Sequence, residues 1–159
     1  INETREMQKR SRFPFVAGRR IIMANVKELL RTEANGSISF GDYSLEAKTK
    51  LADFKFQDSV YKVKTFKEIT RLEKNGGVVY ESVPGSAVHD FRETERQLVF
   101  QVEAADDIHI TLELEPEKEY KVFIDDTNIG KMKSSLGGKI DFSIEMNEGE
   151  TVKVDVIKL

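Results

Sequence analysis

Beyond Phe91, apolar side chains recur at every second position of the chain. The alternating segments are QLVFQVEA, DIHITLEL, EYKVFID, KIDFSIEM and TVKVDVIKL. A period of two places successive side chains on opposite faces of a β-strand. Strands with one apolar and one polar face are typical of antiparallel sheets that cover a core on one side and meet water on the other. These segments therefore predict five amphipathic strands of an antiparallel β-sandwich.

Short turn-forming segments separate these strands, namely AADD, EPEKE, DDTN, LGGK and NEGE. Strands with turns about every eight to twelve residues favour two packed sheets over a parallel α/β sheet. Upstream, the segment VYKVKTF alternates in the same way. The segment EITRLEKNGGVVYESV indicates a hairpin, because Asn75-Gly76-Gly77 supplies the positive φ angles of a tight turn. The predicted fold class is all-β.

Pro84-Gly85 interrupts the strand pattern, because proline has no N–H to donate to a sheet. This break predicts two units: a smaller β-hairpin lobe over residues 23–83 and a β-sandwich over residues 84–159. The hairpins of the first unit either pack onto the second or form a lobe of their own.

The segment NVKELLRTE from Asn25 has helical rather than alternating spacing. Val26, Leu29 and Leu30 fall at positions i, i+3 and i+4, and Asn25 is a suitable N-cap. We therefore predict one short helix near the N-terminal end.

The first 22 residues are expected to lie outside the fold. The chain opens on Ile1, and Arg19-Arg20 can be encoded by AGG-AGG, a purine-rich ribosome-binding sequence placed before Met23. Residues 1–22 carry a net charge of +4. The remaining residues carry −7, which gives the chain its total of −3. We therefore expect a non-native or disordered basic leader. An ordinary basic arm is the alternative.

Composition narrows the function classes. The chain has 159 residues, of which 39% are hydrophobic and 33% charged, and it has no cysteine. Disulfides, thiolate metal sites and a cysteine nucleophile are therefore excluded. The acidic body disfavours nucleic acid and anionic membranes as partners. A cytoplasmic location is expected, since the sequence has neither a signal-like apolar core nor a membrane-length apolar run.

The segment DDTNIG offers an oxygen-rich loop that resembles a calcium-binding loop. Asp125, Asp126 and Asn128 are its candidate ligands, but the spaced ligands and closing glutamate of a calcium loop are missing. A plain hairpin turn is the favoured interpretation. His89 and His109 lie in different segments and are predicted to be solvated surface residues rather than metal ligands.

Phe54 and Phe56 are the candidate binding residues, because two aromatics at period two share one strand face. They form either an exposed patch or, as the favoured interpretation, part of the core. Acidic residues are abundant but fall in turns or outward positions, so no paired catalytic carboxylates are predicted. We expect no catalytic residue and no cofactor.

The final stretch LELEPEKEYKVFIDDTNIGKMKSSLGGKIDFSIEMNEGETVKVDVIKL resembles the immunoglobulin-like accessory sandwiches of bacterial surface and carbohydrate-active proteins. That resemblance implies a spacer or binding unit. The span from Met23 onward, especially the stretch YKVKTFKEITRLEKNGGVVYESVPGSAV, resembles short clostridial proteins of unassigned role, some of which carry an endosialidase label. Sialidase propellers carry Ser-x-Asp-x-Gly-x-Thr-Trp boxes, which this tryptophan-free chain lacks, so the label assigns no catalytic residue.

The predicted function is that of a non-catalytic interaction or structural module, with a protein or glycan as its partner. Two alternatives stay open. One is a carbohydrate-directed protein, or an accessory domain of a glycan-active enzyme. The other is a structural subunit of a phage or of a cell surface. The sequence does not determine the oligomeric state.

Overall fold

The computed structural model describes residues 25–159, and in that range the chain forms thirteen β-strands and no helix. The strands are β1 (Leu30–Thr32), β2 (Ile38–Phe40), β3 (Thr49–Phe56), β4 (Ser59–Phe66), β5 (Ile69–Lys74), β6 (Gly77–Val83), β7 (Ala87–Glu93), β8 (Gln97–Glu103), β9 (Ile108–Glu113), β10 (Glu119–Ile124), β11 (Thr127–Lys133), β12 (Lys139–Ile144) and β13 (Thr151–Lys158).

The strands form two antiparallel sheets that pack as a sandwich. The six-stranded sheet has the order β12-β9-β6-β5-β4-β3, and the seven-stranded sheet has the order β11-β10-β13-β8-β7-β2-β1. All-β architecture and antiparallel pairing, as the alternating pattern predicts, are therefore confirmed.

Strands from both predicted units share each sheet. In the six-stranded sheet β6 pairs with β9, placing Tyr80 opposite Leu112, and in the seven-stranded sheet β2 pairs with β7. The hairpins of residues 23–83 thus pack onto the rest of the chain around one core cluster. Pro84-Gly85 lies in the connection that carries the chain from β6 in one sheet to β7 in the other.

The short helix predicted from Asn25 is not formed in the described residues. Lys27 and Glu28 form a turn, Leu29 has a φ of 73°, and Leu30 begins strand β1 opposite Phe40. An isolated helix this short is marginal in water, whereas the sheet offers a hydrogen-bonding partner and a buried site for the side chain of Leu30. Residues 1–24, which include the predicted leader, lie outside the described residues.

The predicted inward positions form the core. The inward side chains of β8, β9, β12 and β13 are all buried, as predicted. Leu114 and Ile124, at strand ends, are only partly buried. The centre of the core is a group of four aromatic rings contributed by both sheets, with T-shaped contacts at centroid distances of 5.2 to 6.3 Å: Phe40, Tyr80, Phe91 and Phe100.

A network of buried hydroxyl groups closes the connection between β6 and β7. The hydroxyl of Tyr80 lies 2.8 Å from Ser86 Oγ, which is also 2.7 Å from Ser82 Oγ. The Ser86 N–H donates to Thr70 Oγ1 at 3.0 Å. All four residues are fully buried, and burial raises the pKa of Tyr80 to about 12. A buried hydroxyl without a partner is destabilising, so these contacts fix the connection in one conformation.

We expect Tyr80→Phe and Ser86→Ala each to lower the free energy of unfolding by about 1–2 kcal/mol, because each leaves a buried hydroxyl with one partner fewer. Urea unfolding of both single variants and the double variant forms a double-mutant cycle. The double variant should lose less than the two single losses combined. Fully additive losses would show that the two hydroxyls do not interact.

Candidate functional site

A groove crosses the end of the sandwich and is lined by the connections before β2, β4, β8 and β10 and by the adjoining ends of strands. It consists of two adjoining cavities, of about 470 and 350 Å³, which share Lys74, Glu93 and Thr94 in their walls. We call the two cavities together the end groove. Its walls come from both sheets, so the groove exists only because the sandwich brings these turns together.

The larger cavity is lined mainly by charged side chains. Four of these are acidic and two are basic: Glu93, Glu95, Glu113, Glu115, Lys74 and Arg96. Lys74 Nζ lies 3.4 Å from Glu93 Oε1 and so links β5 of one sheet to β7 of the other. Lys158 Nζ donates to both carboxylate oxygens of Glu115 at 2.9 Å. Two of the four carboxylates are therefore held in ion pairs.

The smaller cavity combines aromatic and amide groups. Phe56 and Tyr61 lie beside it with their ring centroids 6.1 Å apart, and Gln57 follows Phe56 in the β3–β4 turn. On the opposite wall, the guanidinium of Arg92 donates to the backbone carbonyl of Asn35. This wall composition suits a ligand that has both apolar faces and hydroxyl or carboxylate groups.

Every pKa shift resolved in residues 25–159 moves the pKa of the group further from pH 7. Hydrogen bonds from Lys158 lower the pKa of Glu115, and burial raises the pKa of Tyr61. Burial also opposes ionisation of Glu33, but hydrogen bonds from Ser39 and Arg31 outweigh it and lower the pKa of that carboxyl. The remaining shifts are upward, in two bases and two tyrosines: Arg31, Lys67, Tyr43 and Tyr80. General acids and bases need a pKa near the working pH, which these shifts work against.

The predicted cation ligands form a hairpin turn between β10 and β11. Asp125 Oδ1 accepts the Lys153 N–H at 2.9 Å, Asp126 Oδ1 lies 3.3 Å from Lys153 Nζ, and Asn128 Oδ1 accepts the Gly130 N–H at 2.8 Å. Each side chain thus has an intramolecular partner. Within residues 25–159 the structure brings together no group of three or more histidine, aspartate or glutamate side chains that could hold a metal ion.

Only one of the two candidate phenylalanines lines the end groove. Both are partly buried against the core, which fits the favoured interpretation, but only Phe56 is among the residues that line the smaller cavity. Phe54 pairs with Tyr61 across β3 and β4. Phe56 is therefore a partly buried residue, packed against the core, at the rim of the end groove.

The two histidines differ in their exposure to solvent. His89 is only 4% exposed, so its prediction as a solvated residue is wrong: the bulge between His89 and Arg92 breaks the simple alternation of β7. His109 is half exposed, as predicted.

A serine, a histidine and an aspartate meet on the outer face of β9 and β12, which the sequence pattern alone did not indicate. His109 Nδ1 lies 3.0 Å from Ser143 Oγ, and its Nε2 lies 3.5 Å from Asp141 Oδ1. The histidine and aspartate side chains are 50% and 62% exposed. A catalytic triad works in a site that is shielded from water and equipped with oxyanion donors. These three residues instead form an open surface cluster.

Comparisons of the chain with protein-family models, with curated proteins and with solved structures found no match. No helix in residues 25–159 is long and apolar enough to cross a membrane.

We expect Lys158→Met to raise the pKa of Glu115 towards its ordinary value, because Lys158 Nζ stabilises the ionised carboxylate. Since the folded pKa is lowered, the pair contributes stability above the unfolded pKa, and this contribution is lost as the pH falls through the folded pKa. Carboxyl-carbon NMR titration measures the change. Lys131→Met, at an exposed position of β11, is the matched control. An unchanged Glu115 titration in Lys158→Met would contradict the assignment.

Proposed function

We propose that the protein is a non-catalytic β-sandwich module that binds a ligand in the end groove. The observation that carries this proposal is the groove itself, whose polar, charged and aromatic side chains come from strand ends and turns of both sheets. Turns supported by a rigid sandwich are a common location for binding residues.

The electrostatics of the groove favour binding over catalysis. A glycosidase needs one carboxyl group with a raised pKa as its general acid. In the larger cavity the pKa of Glu115 is instead lowered by hydrogen bonds from Lys158, and Glu93 is paired with Lys74. Ion-paired carboxylates can accept hydrogen bonds from a ligand, and cationic side chains can donate hydrogen bonds to it, without any transfer of protons.

A carbohydrate is the ligand class that we favour. Aromatic rings bury the apolar faces of sugars, and amide and guanidinium groups bind their hydroxyl and carboxylate oxygens. The smaller cavity combines Phe56 and Tyr61 with Gln57 and Arg92. This combination also fits the carbohydrate-directed alternative, in which the module accompanies a glycan-active enzyme. We also propose, from the sequence, that the protein is related to immunoglobulin-like accessory sandwiches or to the clostridial proteins with an endosialidase label. A cytoplasmic location is proposed on the same basis.

We expect Phe56→Ala to weaken glycan binding about tenfold, because it removes an aromatic wall of the groove. Phe54→Ala is the matched control, since it removes a partly buried ring from the same strand without changing the lining of the cavity. Isothermal titration calorimetry against a panel of neutral and acidic glycans measures the effect, and thermal unfolding establishes that both variants fold.

Three results would contradict the proposal. No heat of binding with any glycan of the panel would argue against carbohydrate binding. Equal losses of affinity in the two variants would place the site away from the end groove. Turnover of a glycan by the purified protein would show that the module is catalytic.

A further inference from the structure

Arg92 is a charged wall residue of the smaller cavity that the fold leaves without an ion pair. It follows the bulge in β7 and is exposed. Three charged residues line this cavity, and the other two, Lys74 and Glu93, are paired with each other at 3.4 Å. Arg92 makes no ion pair with a carboxylate of residues 25–159. Its guanidinium is therefore the cation of this wall that an anionic ligand can bind without displacing a carboxylate.

The turn before β2 holds the guanidinium of Arg92 in place. One N–H of Arg92 donates to the backbone carbonyl of Asn35. The Asn35 side chain is itself fixed, because its Oδ1 accepts the Ser37 N–H at 3.2 Å and its Nδ2 donates to Asp90 Oδ1 at 3.3 Å. Asp90 is not among the residues that line the smaller cavity. The remaining N–H donors of Arg92 form the planar fork that binds a carboxylate through two hydrogen bonds.

Aromatic and amide groups lie beside this cation. Phe56 and Tyr61, with ring centroids 6.1 Å apart, and Gln57 line the same cavity as Arg92. A sugar that carries a carboxylate combines an apolar ring face, hydroxyl groups and a negative charge. Aromatic rings bind the first of these parts, amides the second and a guanidinium the third. The smaller cavity therefore suits an acidic sugar better than a neutral one.

The larger cavity has the opposite charge balance. Its lining holds four carboxylates and two cationic side chains, and two of the carboxylates, Glu95 and Glu113, make no ion pair within the part of the chain that the structure describes. A ligand carboxylate would be repelled there, whereas the hydroxyl groups of a neutral sugar can donate hydrogen bonds to these glutamates. The charge difference between the adjoining cavities thus favours one orientation of a bound glycan.

We propose that the end groove selects an acidic glycan, in which a carboxylate-bearing sugar such as a hexuronic acid occupies the smaller cavity with its carboxylate on Arg92. The neutral sugar next to it lies in the larger cavity. This inference rests on the proposed function, because it assigns the ligand class of the same groove. A glycan with one acidic residue carries far less charge than a nucleic acid or an anionic membrane, so the acidic body of the protein repels it only weakly.

Paired ligands that differ only in the carboxylate test the proposal. The probes are aldobiouronic acids, each made of one uronic acid and one neutral sugar, and their carboxyl-reduced counterparts, which are neutral disaccharides. We expect the wild type to bind the acidic form roughly tenfold more tightly in isothermal titration calorimetry, because reduction removes a charge-assisted, bidentate contact. Added salt should reduce this preference and leave the affinity for the neutral form unchanged.

Variants of two arginines locate the carboxylate. We expect Arg92→Gln to remove the preference for the acidic form and to leave the affinity for the neutral form unchanged. Arg92→Lys should keep only part of the preference, because lysine retains the charge without the planar fork. Arg96→Gln, at an exposed arginine that lines the larger cavity, is the matched control and should keep the preference. Thermal unfolding establishes that all three variants fold.

The contrary results differ in what they overturn. Equal affinity of the wild type for the acidic and neutral forms would overturn the selection for acidic glycans, and the groove would remain a glycan-binding site. No binding of either form would also overturn the selection, and if no other glycan bound, the proposed function would fail with it. A preference that persists in Arg92→Gln would overturn the assignment to Arg92, and its loss in Arg96→Gln instead would place the carboxylate in the larger cavity.

Discussion

The burial of Tyr80 between the two sheets is the interaction on which the rest of the structure depends. Its ring packs at near right angles to Phe40, Phe91 and Phe100, which belong to three strands of the opposite sheet. Its hydroxyl meets Ser86 in the connection between the sheets. One side chain thus joins the apolar core to the polar network that fixes the crossover. Apolar contacts are favourable in many packing arrangements of the rings. The buried Tyr80 hydroxyl, by contrast, needs a hydrogen-bond partner, which few arrangements provide, so it specifies how the two sheets pack.

This arrangement leaves the turns at one end free to carry a surface. The core lies between the sheets, and the end groove lies where the sheets stop. Lys74 and Glu93 connect the sheets there through an ion pair, whose side chains are about one-third exposed. An exposed ion pair contributes little to stability. The groups in the groove are therefore available to a ligand, because the fold is held by the buried contacts farther in.

The sandwich also determines which strands lie at sheet edges. Two sheets that do not close into a barrel leave four edge strands, and each has to avoid uncontrolled pairing. Bulges, lysines and short length protect β1, β3 and β11. Strand β12 keeps a regular register with β9, and both backbone groups of its first residue, Lys139, are hydrogen-bonded to Ser135.

The alternation of apolar and polar residues was sufficient to predict five of the six strands beyond Phe91, their inward side chains and the antiparallel sandwich, because a period of two is a local property that burial on one face enforces. Strand β11, which has no such alternation, was missed. Reasoning from local spacing failed at Asn25, where the spacing is helical, and at His89. There, pairing of Leu30 with Phe40 and a bulge in β7 override the local pattern. The sequence did not predict the end groove, although Phe56, one of the two candidate binding residues, lines it. Its ion pairs join residues 19 and 43 positions apart. Such contacts depend on strand order and on which turns share an end, and the tertiary structure alone decides these, since many strand orders would bury the same apolar faces.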